Sequence, residues 1–299
     1  MLVALPGLIA GPPRRLPLNE WVPVATASMA VGVLAVEVSL GLAAVPAVAF
    51  LAGAPEIVDG CREALAPLST DPGFLSWVAL ALAGLVAFRI GAGVWRARTG
   101  ARRARVEPWL GAHTERDGFE LVVLPTRDVV AFGVWASPPQ VVISDGLIEQ
   151  LEPAHVEAVI GHEAAHHRLR HASYLALLAG AAAAFGRARF VRRSLDAIRD
   201  GLEGWADAEV GARGDDDRRA LRAALVGVAS ANGQANRGSW ARTTDRMRRL
   251  ESDVPPRSTI LRSVAYLPVA ALGMATLVLV ASWLTEVHHA FALGAPCNH

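Results

Sequence analysis

Gly161-His-Glu-Ala-Ala-His-His-Arg-Leu-Arg-His171 is the stretch on which the reading of this chain turns. It lies in a segment that reads as one unbroken helix from Pro153, a favourable first-turn residue, through His171. Val156, Val159, Ile160 and Glu163 fall on or near one stripe, the pattern of a half-buried helix. On such a helix His162 and His166 are one turn apart, so both imidazoles project from one face and converge on a single metal ion. Glu163 sits one position round, placed to take a proton from the water that the ion activates without itself being a ligand. Zn²⁺ lowers the pKa of water towards ~7, which makes hydroxide available at neutral pH. A catalytic site of this kind needs a third protein ligand and one open position.

His171 lies five residues beyond His166, one short of the spacing at which metzincins place a third histidine, and is set aside as a ligand. His167 and His171 read as a solvated helix face. The preferred third ligand is Glu203, in Glu203-Gly-Trp-Ala-Asp207 on a later helix, with Asp200 and Glu209 as local competitors. Asp207 is one turn from Glu203 on the same face. There it can accept the outer N–H of a metal-bound histidine and fix its tautomer.

Outward from this motif, Phe119–Leu124 reads as a strand stopped by Pro125. Val129–Trp135 and Val141–Ile143 are further β-branched runs, separated by Ser137-Pro138-Pro139, which confines that neighbourhood to an edge or loop. A helix is expected from Asp145 or Gly146. Others are expected over about Val191–Val210, closed by Gly211, and from Asp215-Asp-Asp217 to a point before Gly227 or Gly233.

Farther out the chain becomes apolar. It has 299 residues, 53% hydrophobic and 19% charged, with a mean hydropathy of +0.33. That hydropathy at this length points to membrane spans, because a hydrocarbon core about 30 Å thick needs roughly 20 apolar helical residues. Trp21–Ala54 qualifies with Glu37 as its only charge, for which a neutral, hydrogen-bonded structural role is expected. Phe74–Trp95 qualifies with Arg89 near its end, and Val264–Leu284 is clean. Ala172–Phe185 is too short to cross and reads as a buried or membrane-dipping helix.

All 29 basic residues are arginine, balanced by 28 acidic ones, so the net charge of +1 offers no nucleic-acid footprint. The arginines follow the positive-inside pattern. Arg14 and Arg15 precede the first span; Arg96, Arg98, Arg102, Arg103 and Arg105 follow the second; Arg257 and Arg262 precede the last. The loop between the first two spans is acidic. The expected topology therefore has a cytoplasmic N-terminus, a cytoplasmic middle and an extracytoplasmic C-terminus in the plasma membrane. It divides the chain into a membrane region at 1–98 with spans at about 21–54 and 74–95, a cytoplasmic domain at 99–256, and a last span and short tail at 257–299. Cys61 and Cys297 then share the oxidising side, where a disulfide between them is expected.

His162-Glu-Ala-Ala-His166 followed by Glu203-Gly-Trp-Ala-Asp207 resembles the gluzincin pattern of integral-membrane zinc peptidases. The likeness is closest to the M56 family, the antibiotic-sensing receptor type in a short actinobacterial form. The chain is also similar to the M48 family. Val141–Leu147 with Leu151–Gly161 resembles these families' run of strand, short helix and active-site helix, and Thr244–Leu250 their late arginine-rich segment. The likeness covers roughly residues 119–255. It implies a mainly α integral membrane protein, with transmembrane helices around a gluzincin-type α+β zinc peptidase domain containing a small sheet. It also implies one zinc ion per chain on His162, His166 and Glu203, with Glu163 as general base. Phe132, Gly133 and Val134 sit where the families have the edge strand that pairs with extended substrate. Two features depart from the pattern: His171 stands where Asp is frequent, and the short tail after Leu284 gives no expectation of an extracytoplasmic sensor domain. Arg246, His155 and His113 are open candidates for stabilising the oxyanion.

The expected function is a membrane-anchored zinc endopeptidase that cuts protein or peptide substrates at the cytoplasmic membrane face. The expected partners are that substrate and the lipid bilayer, with no nucleic acid. The alternatives are a protease-based transducer that cleaves a transcriptional repressor, and a catalytically silent membrane scaffold. Glu163 speaks against the scaffold, since a structural zinc site has no use for that carboxylate.

Overall fold

The computed structural model describes residues 17–53, 73–107, 110–231 and 237–251. The expected last span, Cys61, Cys297 and the flanking arginines at 14, 15, 257 and 262 lie outside the described residues. Two long apolar helices, α1 (Leu18–Leu51) and α2 (Phe74–Arg103), pack on one another and are long and apolar enough to cross a membrane. The 34 residues of α1 make a rod of about 51 Å, well beyond a hydrocarbon core of about 30 Å. Its first turns therefore serve another purpose: Trp21, Val22 and Ala25 are buried among Leu178, Leu195, Ile198 and Leu202 of the following domain. Glu37 is partly buried, and its Oε1 has no hydrogen-bond partner among the described residues, so the expected hydrogen-bonded role is not seen for that atom.

Four strands form a mixed sheet in the order β1-β2-β4-β3: β1 (Ala112–Arg116), β2 (Phe119–Leu124), β3 (Ala131–Val134) and β4 (Gln140–Ser144). All five residues of β4 are buried, as its unbroken Val-Val-Ile run requires of a central strand pairing parallel to β2. β3 runs antiparallel to β4 and ends the sheet. It is shorter than the run read from the sequence, which began at Val129 and ended at Trp135. β1 was not anticipated, because Ala-His-Thr-Glu-Arg has no apolar alternation. It exists by pairing with β2 across the turn Asp117-Gly118, where Gly118 adopts φ +82°. An Asp-Gly pair is a recognised hairpin signal.

Ser144 ends β4 and caps α3 (Asp145–Gln150), its hydroxyl accepting from Leu147 N–H at 3.2 Å and donating to the Asp128 carbonyl at 2.6 Å. One side chain thereby fixes both the start of that helix and the loop entering β3. α4 (Pro153–Arg168) lays Val156, Val159, Ile160 and Ala164 against Leu121, Val141, Ile143 and Leu147 to form the main core. Burying each large aliphatic side chain stabilises the fold by about 1.5–3 kcal/mol.

The active-site helix does not run on to His171. It stops at Arg168, Arg170 takes a left-handed conformation (φ 54°), and α5 (His171–Phe185) starts in a new direction. No glycine or proline marks this break. It is set by packing, since α5 must lie against α2. α6 (Arg189–Gly211), α7 (Asp215–Ala231) and α8 (Arg237–Glu251) complete the described chain. α7 continues straight through Gly227.

Candidate active site

Two helices bring three donor groups together. His162 and His166 project from one face of α4, and their Nε2 atoms are 3.1 Å apart. Glu203 comes from α6, which crosses α4, with its Oε2 3.5 Å from His162 Nε2 and its Oε1 3.5 Å from His166 Nε2. The three groups offer ligand atoms within 4.8 Å of one another. A tetrahedral ion with nitrogen and oxygen ligands at about 2.1 Å has ligand–ligand edges of about 3.4 Å. The three separations fit that figure, and the donor set of two imidazoles and one carboxylate suits a borderline divalent metal. Asp200 and Glu209 are not part of this group; Glu209 faces Arg168 at 3.7 Å.

Around the three donors the structure supplies supports. Asp207, one turn past Glu203 and 3% exposed, places Oδ1 3.0 Å from His162 Nδ1, close though off the axis of a good hydrogen bond. Arg246 of α8 grips both Asp207 oxygens, its Nε donating at 2.8 Å and a terminal nitrogen at 2.7 Å. It also reaches Glu203 Oε2 at 3.3 Å. Of the three open oxyanion candidates, only Arg246 lines the cleft. His113 is engaged with Glu120 at 2.8 Å on the β1–β2 hairpin, and His155 sits on the first turn of α4 facing Glu152 at 4.0 Å.

The two histidines read as solvated are not. His171 is fully buried, and its Nδ1 lies 2.8 Å from His166 Nδ1, the ring atom that points away from the donor cluster. The ring packs against Trp205 at 5.2 Å between centroids. His167 donates from Nε2 to the Gln140 carbonyl at 3.0 Å and stacks edge-on with Trp135 at 4.6 Å. The two have different causes: ending α4 at Arg168 turns the chain back so that His171 lies behind His166, whereas His167, still within α4, is covered by Trp135 and the start of β4.

Burial is the largest influence on His162 and lowers its proton affinity, but close contacts with Asp207 and Glu203 outweigh it and push its pKa up to about 9. Burial and then the charge on His162 pull His166 down to about 4. Glu203 is lowered to about 2 because His162 and Arg246 override the opposing effect of burial. Asp207 is held ionised by Arg246 and His162 against the same opposition. Glu163, deep in the cleft, is raised by burial, with a hydrogen bond from the Gly133 backbone acting the other way. Two ionised carboxylates around one imidazole make a place that gathers positive charge, and a metal entering it competes with the proton on His162.

The cleft over this cluster has a volume of about 430 Å³ and is walled by Ala131 and Phe132 of β3, Leu221 and Val228 of α7, Glu163 and Arg246. Gly133 lets β3 approach the helix: a Cβ there would come 3.0 Å from His167 Nε2 and 3.6 Å from Glu163. Residues 98–237 match the model of Peptidase family M48. The chain carries a metallopeptidase domain of that type. No curated protein and no solved structure matches the chain. The match is to the second of the two families that the motifs resemble. It ends at the start of α8, so Arg246, which ties Asp207 to the metallopeptidase cluster, comes from beyond the matched segment.

Proposed function

We propose that this metallopeptidase is a membrane-anchored zinc endopeptidase that cuts extended polypeptide at the cytoplasmic face of the plasma membrane. The observation that carries the reading is the convergence of His162 Nε2, His166 Nε2 and the Glu203 carboxylate beside Glu163, in a cleft bounded by a sheet edge. In this reading His162, His166 and Glu203 hold one zinc ion. When bound, the ion supplies positive charge that acidifies water and polarises the scissile carbonyl.

Glu163 takes the proton from the attacking water. Its raised proton affinity lets it retain that proton and hand it to the leaving amine. Asp207 and His171 orient His162 and His166 respectively from behind the metal face. Substrate pairs with the free edge of β3 along Phe132, Gly133 and Val134. Phe132 is 41% exposed, and the strand has β4 on one side only. The cytoplasmic placement is supported by the arginines after α2 and the acidic loop before it. The division into residues 1–98, 99–256 and 257–299 follows from the same pattern, except that α1 contributes its first turns to the peptidase core.

The test separates chemistry from metal binding. Glu163→Gln should abolish cleavage of an unfolded protein substrate while zinc content by elemental mass spectrometry stays near one per chain. Glu203→Ala should lose the zinc. Full zinc and full activity in Glu203→Ala would sink the ligand assignment.

A further inference from the structure

The α5–α6 hairpin ends in a cavity of about 370 Å³ that shares no lining residue with the metal cluster. It is lined by Arg89 of α2 and by Arg187, Arg192 and Arg199, around a wall of Ala182 and Ala183. Arg199 is paired with Asp196 at 3.2 Å. Among the described residues, the guanidinium groups of Arg89, Arg187 and Arg192 have no hydrogen-bond or ion-pair partner. Three uncompensated guanidinium groups around one concavity call for an anion.

The depth of this cavity follows from how α5 lies on α2. A Cβ on Gly93 would strike the Ala179 carbonyl at 2.6 Å and the Ala183 side chain at 2.9 Å. A Cβ on Gly180 would strike Val94 at 2.9 Å and Ile90 at 3.2 Å. The two helices therefore run antiparallel in close contact, and the end of α5 reaches the level of Arg89. Arg89 is fifteen residues beyond Phe74, about 22 Å along the helix, in the last turns of a span crossing about 30 Å of hydrocarbon. Arginine at that depth is costly unless its head reaches the interface. The hairpin tip meets the same demand, carrying exposed Arg187, Arg189, Arg192 and Arg193 beside Phe190, which is 58% exposed.

We propose that this cavity binds the phosphate of an anionic phospholipid, whose acyl chains lie along the exposed apolar faces of α2 and α5. Those faces are present: Leu85 and Phe88 of α2 and Leu177 of α5 are 49%, 72% and 52% exposed. A soluble anion would find the same arginines but no use for that apolar surface. The headgroup joins α2 to the hairpin of α5 and α6, and so to the helix that carries Glu203 and Asp207. The proposal rests on α2 being a membrane span.

The test uses the full chain. Carbonate extraction of membranes comes first: release of the chain into solution would overturn the span and this proposal together. For chain that stays membrane-embedded, native mass spectrometry of the detergent-purified protein should show retention of phosphatidylglycerol over phosphatidylcholine. Arg187→Ala/Arg192→Ala should weaken that retention about twenty-fivefold, since each arginine near an anionic lipid surface is worth about fivefold. Arg219→Ala/Arg248→Ala, which removes equal charge elsewhere, should leave it unchanged. Equal retention of the two lipids, no loss in the cavity variant, or displacement of the lipid by millimolar inorganic phosphate would overturn the lipid site while leaving the span reading intact.

Discussion

At the scale of single residues, the spacing of His162, Glu163 and His166 was enough to predict a metal-binding face, because i and i+4 on a helix share a side. The same logic misjudged His171, since a wheel continued past Arg168 puts it in solvent. In the structure it sits behind His166 with Nδ1 facing Nδ1 at 2.8 Å, in a pocket closed by Trp205. One of the two nitrogens must donate. If His166 binds metal through Nε2, its Nδ1–H donates and His171 accepts. His171→Ala should then weaken zinc binding about ten- to hundredfold. It should also shift the visible spectrum of the cobalt-substituted protein, which a purely packing role would not do. His171→Asn, which keeps a hydrogen-bonding side chain, should recover most of the affinity. Unaltered zinc affinity in the alanine variant would show that His171 only fills space.

At the scale of elements, β2, β4 and the start of α4 were legible because each carries its own signal: β-branched runs, a Pro stop and a Pro start. β1 was not, since its residues are polar and only the Asp117-Gly118 turn hints at a partner strand. The break between α4 and α5 was not legible either, because no residue there disfavours helix strongly. It is imposed by the docking of α5 on α2, which depends on Gly93 and Gly180 keeping the two backbones close. Gly93→Leu would put a side chain where the Ala179 carbonyl lies 2.6 Å from the Cβ position. Overpacking of this kind costs roughly 1–3 kcal/mol. The thermal midpoint of the detergent-purified protein should fall by several degrees, with zinc content preserved. An unchanged midpoint would mean that the two helices are not held in this contact.

At the scale of the whole molecule, the metal cluster sits where α4 and α6 meet, braced by Arg246 of α8, so an ion there joins two helices distant in sequence. A ligand that binds only the folded form stabilises it by mass action, by about 2.7 kcal/mol at a hundred times its dissociation constant. Chelation should therefore both stop cleavage and lower the thermal midpoint, and added zinc should restore the two together. A midpoint indifferent to chelator and to zinc would argue against a metal bridging these helices.

The linear chain was enough to determine a metal-type histidine pair with its adjacent acid, the two long apolar helices and the buried central strand, because each is a local pattern with a fixed period. Only the tertiary structure decided that Glu203 rather than Asp200 or Glu209 faces the histidines, that Arg246 locks Asp207, and that His171 backs His166. Those choices depend on the crossing of helices distant in sequence and on a left-handed turn at Arg170, and no periodicity encodes either.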